Sequence, residues 1–453
     1  MPPTDLSVTG GQLLLDGELK DATLGVTDGS ISHIVGPSVT LDATERVGLD
    51  GEVVLPGLVD GHVHFREPGY TEKEGVETGT AAAAAGGVTT VIEMPNTVPP
   101  VLTVDRFESK VDIFRSKSHV DFALFGAITE ENVGTGDIAA LADAGATAFK
   151  TFMATSFGPL LMEDKGELYR AFEEVADADR PLYIHAEDEE YLDLFRGRVR
   201  EEHGEDMAAF FAARPPIAET TAVSDVLDII ADTGTETVIV HTTTAEAVDR
   251  MIDAKAEDRP VWTEVTPYHL AFNQSDIERV GPHGIGTPPA RDEANRNMLW
   301  DRVTDGAVDL FGSDHAPHQL EEKERSPTEV APGMPQLETA LPFLLDAVNR
   351  GRLSLSTIAE AYAERPARIH GLYPKKGSIQ VGADADFVVV DMDEEWTVDA
   401  DAFESAGNYS PFDGMTLTRK PVRTYQRGTQ IAADMDVTAN AGQGRFLTRN
   451  ESD

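Results

Sequence analysis

Cysteine is absent from all 453 residues, which excludes disulfides and thiolate metal sites and leaves nitrogen and oxygen as the ligand atoms a metal ion could find. Long apolar runs are absent too. Nowhere do eighteen or more such residues follow one another, and the opening MPPTDLSVTGG has neither a charged n-region nor an apolar h-region. That predicts no membrane span, no secretory signal and, by default, a cytoplasmic location. Positive charge is scarce: 37 Lys plus Arg against 80 Asp plus Glu leave a formal charge of −43, which repels nucleic acid and anionic membranes. The acids are scattered through the whole chain, so the excess belongs to the surface of a fold rather than to a tail. Such a surface repels itself at ordinary ionic strength, whereas near-molar salt shortens the Debye length to roughly 3 Å and removes most of the penalty. With Arg also preferred to Lys, the chain reads as a protein of a salt-accumulating organism.

A hydrophobic content of 41% is ample for a core, and the length exceeds one ordinary domain. Short β-like runs lie near Gly57 to His64, Val88 to Pro95, Asp121 to Ala127, Thr147 to Phe152, Pro181 to Ala186, Thr237 to Thr242, Pro260 to Thr266 and Val308 to Asp314. Stretches of helical composition follow or separate them, among them Thr78 to Ala85, Ile138 to Ala144, Gly166 to Ala178, Ala222 to Ala231, Glu246 to Ala256 and Leu337 to Asn349. Eight strands alternating with helices predict an α/β protein, a (β/α)8 TIM barrel over residues 57–370. An open doubly wound sheet is the alternative, but no Gly-rich phosphate-binding turn supports it. Residues 1–56 and 371–435 carry short β-like pieces broken by DG and GG turns. They predict the two halves of a small β-sandwich built from both termini, and residues 436–453 read as a polar tail.

Chemistry begins at His62 and His64. Side chains two apart on a strand share a face, so both imidazoles can reach one metal ion. His185, His241 and Asp314 each end another apolar run, and catalytic groups of such barrels come from the carboxyl-terminal strand ends. Lys150 stands in the apolar ATAFKTFMA, where an ammonium is poorly solvated. It reads either as a lysine on an exposed strand end or as one with a lowered pKa that takes up carbon dioxide and bridges two metals as a carbamate; its place among the other ligands favours the carbamate.

The segments DGHVHFREPG (60–69), MPNT (94–97), IHAED (184–188), VHTTTAE (240–246), TEVTPYHL (263–270) and GSDHAPHQLEEK (312–323) resemble those of the cyclic amidohydrolases, and within that family the dihydroorotases. The resemblance implies two zinc ions per subunit, one held by His62, His64, Lys150 and Asp314, the other by carboxylated Lys150, His185 and His241. It implies the reversible closure of N-carbamoyl-L-aspartate to (S)-dihydroorotate with loss of water, a step of pyrimidine biosynthesis. Two divalent ions roughly 3.5–4 Å apart share a water whose pKa falls toward about 7, with Asp314 as general acid and base. The partner is thus a small molecule, neither nucleic acid nor membrane; a homo-oligomer and an association with aspartate carbamoyltransferase stay open.

Arg66, two residues past His64, offers a planar fork for a carboxylate. With Asn96 and His318 it resembles the pocket for the carboxylate of dihydroorotate, a group that hydantoin, dihydropyrimidine and allantoin rings lack. Two stretches blur the pattern. GTPPAR places Thr287 where many bacterial relatives have an asparagine, and APGMPQLETALP (331–342) resembles the family's active-site loop. His269, His283 and His315 are expected to be structural, and His119, His203 and His370 solvated or packed.

Overall fold

Strands that are apolar on both faces need cover on both faces, and this chain supplies it by alternating them with helices. The computed structural model describes residues 3–155, 160–202 and 204–449. Eight parallel strands, β1 (Leu58–Val63), β2 (Val88–Glu93), β3 (Asp121–Ala127), β4 (Ala148–Phe152), β5 (Leu182–His185), β6 (Thr237–Ile239), β7 (Val261–Val265) and β8 (Leu310–Phe311), pair in sequence order. The ring closes where Val63 bridges His315 and the His64 N–H donates to the His315 carbonyl at 2.8 Å. The architecture is therefore a (β/α)8 barrel, and the first five strands are buried along their whole length. The eighth is shorter than its apolar run suggests, because the chain turns into a left-handed conformation at Asp314 (φ 51°) instead of continuing extended.

The outer helices follow from local chemistry. Val104–Lys117 buries Phe107, Lys110, Val111 and Phe114, the three- and four-residue spacing of a helix face. Asp164 opens Lys165–Asp177 by accepting from the Gly166 and Glu167 amides, which would otherwise lack partners. Among the described residues no helix is long and apolar enough to cross a membrane.

Two further sheets stand beside the barrel, the first built from N-terminal strands alone and the second from both ends of the chain. One orders Ser30–Val35, Thr23–Thr27, Thr4–Thr9 and Ala43–Gly48; in the other, Val53–Pro56 from the N-terminal part pairs antiparallel with Phe387–Thr397 from the C-terminal part. Leu6, Val8, Leu24, Val26, Val54, Phe387 and Val389 form one buried cluster joining the sheets. Lys376 fastens this unit to the base of the barrel. Its buried Nζ lies 2.5 Å from Asp121, 2.9 Å from Asp384 and 2.8 Å from Asp386, and these carboxylates hold it protonated against the cost of burial. The three aspartates would suit a cation, and the ammonium takes that place.

The end of the chain is polar in composition, yet Phe446 decides its course. The Phe122 amide donates to the Arg445 carbonyl at 2.9 Å, the Leu447 amide donates back to Phe122 at 2.8 Å, and the Phe446 ring packs 5.7 Å from that of Phe122. Residues 445–447 thus run as an added strand beside β3.

Candidate active site

Six of the residues singled out above meet at the carboxyl-terminal mouth of the barrel. His62 lies within β1 and His64 just past it, Lys150 is in β4, His185 ends β5, His241 follows β6 and Asp314 follows β8. Asp314 Oδ1 is 3.4 Å from His62 Nε2 and 3.2 Å from His64 Nε2, so two imidazoles and a carboxylate converge on one point. On the other side His185 Nδ1 and His241 Nε2 approach to 3.0 Å. His241 (φ 37°) and Asp314 (φ 51°) are both left-handed, a conformation that costs a non-glycine residue about 1–3 kcal/mol and that recurs at functional sites.

For His62, His64 and His185 the nitrogen turned inward is settled by the partner of the other. His62 Nδ1 lies 2.7 Å from Glu264 Oε1, His64 Nδ1 lies 2.7 Å from Asn96 Oδ1 and His185 Nε2 lies 2.9 Å from Glu187 Oε2. Each outer nitrogen carries the proton for its acceptor, leaving a lone pair on the inner one. Burial lowers the pKa of His64 to about 3 and also lowers those of His185 and His241, so all three are neutral at pH 7, the state a ligand needs. Burial pushes the Asp314 carboxyl up, but His62, His64 and Lys150 outweigh it and hold it well below the usual carboxylate range.

Lys150 is fully buried, and its Nζ has no hydrogen-bond partner among the described residues; the Phe152 ring lies 4.8 Å away. Burial brings its pKa down to about 7, against the opposing pull of Glu264 and Asp314. A lysine so placed gives up its proton far more readily than an exposed one, and the amine is the form that attacks carbon dioxide. The inner His62 Nε2 likewise makes no hydrogen bond among the described residues, with Asp314 Oδ1 3.4 Å away. A buried set of nitrogen and oxygen donors, with these two atoms left unsatisfied, fits a pair of divalent cations. His62, His64 and Asp314 would serve one; His185 and His241 would serve the other, with Lys150 between.

Sequence reasoning missed the outer carboxylates. Glu264, on β7, also accepts the His241 amide at 3.0 Å, and so ties β1 to the turn after β6. Gly312 makes room for it, since a Cβ there would stand 2.8 Å from the Glu264 carboxyl. Replacing Glu264 with Gln is expected to weaken metal binding about 10- to 100-fold, the range typical of such partners. Metal titration of the stripped protein measures this, and unchanged affinity would refute the role. Glu187 is similarly backed by the Arg214 guanidinium; despite burial, Arg214 and His185 bring its pKa down to about 2. The signal for Glu187 was present in IHAED, but a carboxylate two residues past a histidine has no distinctive spacing.

A small cavity opens onto the site. Its walls include His64, Arg66, Asn96, Phe152, Thr287 and Pro332. Arg66 is only 2% exposed, and although burial lowers its pKa to about 10, Asp314 and Glu93 counter this and it stays charged. Glu93 beneath it is bonded by Lys110 at 3.0 Å. His318 stands behind the cavity wall, with Nε2 3.5 Å from Arg66 Nη2 and 2.9 Å from the Pro332 carbonyl. Of the other histidines, His315 bonds Glu74, His269 bonds Thr266 and the Pro288 carbonyl, His370 bonds Thr147 and Tyr183, His119 is buried and His283 lies against Tyr409. His203 lies outside the described residues.

Comparison with known proteins gives the family and the fold. Residues 53–431 match the model of the amidohydrolase family. The chain is 36% identical over 451 residues to the L-hydantoinase of Paenarthrobacter aurescens, covering 98% of each, and 37% identical over 424 residues to the dihydroorotase of Methanothermobacter thermautotrophicus, covering 94% and 93%. The solved structure of the Arthrobacter aurescens L-hydantoinase superimposes with a TM-score of 0.96 at 35% identity, over 98% of this chain and 100% of that one.

Proposed function

This chain belongs to the amidohydrolase family and acts on cyclic amides, and from that premise we propose that it is a dihydroorotase, interconverting N-carbamoyl-L-aspartate with dihydroorotate plus water. The observation that carries the reading is Arg66, a charged, nearly inaccessible guanidinium on the cavity wall beside the histidines. A guanidinium lining the substrate space is suited to grip a substrate carboxylate with two parallel hydrogen bonds, and dihydroorotate carries one.

We assign zinc to the two metal positions, since neutral imidazoles with carboxylates suit it. When bound, such a pair acidifies water and polarises an amide carbonyl. The residues do the rest. Arg66 grips the ring carboxylate and sets the ring's orientation. Asp314, held ionised by its neighbours, takes the proton from the attacking water and delivers it to the departing ring nitrogen; in ring closure the same carboxylate moves the proton back. Glu264, Asn96 and Glu187 keep three imidazoles in the tautomer that presents a lone pair inward.

A second reading, a hydantoinase, has the L-hydantoinase superposition in its favour. A panel of dihydroorotate, hydantoin, dihydrouracil and allantoin, offered to the metal-loaded protein, separates the two. Dihydroorotate should be opened fastest; equal or faster opening of hydantoin would transfer the assignment.

The same proposal extends to salt. A formal charge of −43 on a chain of this size is expected to make the melting temperature climb steeply with potassium chloride before levelling. A flat response would remove the salt-accumulating source from the reading.

A further inference from the structure

The motif GSDHAPHQLEEK ends on Lys323, a residue that neither binds metal nor lines the cavity, yet it is completely buried. Its Nζ donates to the carbonyls of Ile285 at 3.1 Å, Ala331 at 3.0 Å and Gly333 at 2.9 Å, and rides 5.6 Å from the Tyr409 ring centroid. Burial lowers its pKa to about 7 with Glu322 opposing, and the three backbone carbonyls, which can only accept, take the three N–H donors of its ammonium form. Two segments are joined in this way. Ile285 stands two residues before Thr287, while Ala331 and Gly333 flank Pro332, and Thr287, Pro332 and Gly333 all line the cavity.

Other contacts converge on the same place. The Gly333 amide donates to the Ile285 carbonyl at 2.9 Å, and the Tyr409 hydroxyl donates to the Gly333 carbonyl at 3.3 Å. Gly333 sits at φ +127°, and a Cβ there would meet the Ala316 carbonyl oxygen at 2.4 Å, so this wall is packed directly against the loop that follows Asp314. A neutral side chain at 323 would leave three buried carbonyls without that donor, and the two segments would part to find water.

We propose that Lys323 is a positioning residue for substrate: its ammonium, shared among the carbonyls of Ile285, Ala331 and Gly333, holds the Thr287 wall and the Pro332–Gly333 wall of the cavity at the separation the cyclic amide requires. The proposal rests on the reading of this cavity as the substrate site. It assigns Lys323 to binding rather than to the chemical step, because the lysine contacts the cavity walls and none of the proposed metal ligands.

Lys323→Met, nearly the same shape without the charge, should raise KM about tenfold, because displaced cavity walls weaken binding of ground state and transition state alike. kcat and bound metal should hardly change. Hydrogen exchange read by mass spectrometry should quicken in segments 285–288 and 331–335 and nowhere else. Lys323→Ala should behave alike, and n-propylammonium should restore its KM where 1-propanol does not. Unchanged KM in a folded variant, exchange that quickens throughout the barrel, equal rescue by the alcohol, or global unfolding of both variants even with n-propylammonium present would each overturn the proposal. Failure of the functional reading looks different: wild-type protein loaded with metal would open none of the rings, while the exchange pattern would still report on the clamp.

Discussion

Lys150→Ala is expected to lose most of its bound metal and nearly all turnover, a larger fall than the roughly 10- to 100-fold that follows loss of an outer partner. The reason lies in where the side chain stands. It is buried on β4 with an unsatisfied Nζ and a pKa brought down to about 7, so it is available to carbon dioxide and badly placed as a permanent cation. We propose that Lys150 carries a carbamate; without it, no anion would stand between the His62–His64 side and the His185–His241 side, and two dications bound there would face one another unscreened. A short carboxylic acid such as acetate or propionate should restore part of both metal and activity, because it returns a bridging carboxylate to the vacated space. Metal analysis alongside turnover checks this, and full activity in the unrescued variant would end the carbamate proposal.

Arg66→Met should erase the preference for dihydroorotate over dihydrouracil while both metals stay in place. A site whose buried polar groups are built to meet a substrate group rejects an analogue lacking it by about 10⁴-fold or more, whereas an apolar site manages far less. Wild-type protein should therefore show a preference of that order, and the variant should fall to within about tenfold. The change should lie in kcat/KM for dihydroorotate, since the guanidinium lies outside the proposed ligand set. If the wild-type preference were absent, or if Arg66→Met kept it, the carboxylate role of Arg66 would be wrong even with the metal site intact.

Much of the site could be read from residue order because its elements are local. His62 and His64 share a face through the two-residue period of a strand, and His185, His241, Lys150 and Asp314 each follow or sit within a short apolar run, so the alternation of strands and helices already placed them at one mouth. Arg66 could be read in the same way. Asn96 was expected at the substrate; the structure gives its Oδ1 to His64 and sets the residue on the cavity wall as well. His318 was expected beside it and stands one layer behind, bonded to the Pro332 carbonyl.

The composition and spacing of this chain are enough to specify a barrel, a set of nitrogen and oxygen side chains of the kind that hold metal and a strongly acidic surface, because hydrophobic period, residue type and net charge are properties of neighbouring residues or of simple sums. Only the folded chain decides which nitrogen each histidine presents, since that is settled by Glu264, 202 residues from His62, and by Glu187 with Arg214 behind it. The same is true of the ammonium of Lys323 among three carbonyls, of Lys376 among three aspartates and of Phe446 against Phe122. Each is a pairing of groups far apart in the chain. Such pairings leave no periodic trace, and their strength depends on a burial that exists only once the barrel has closed.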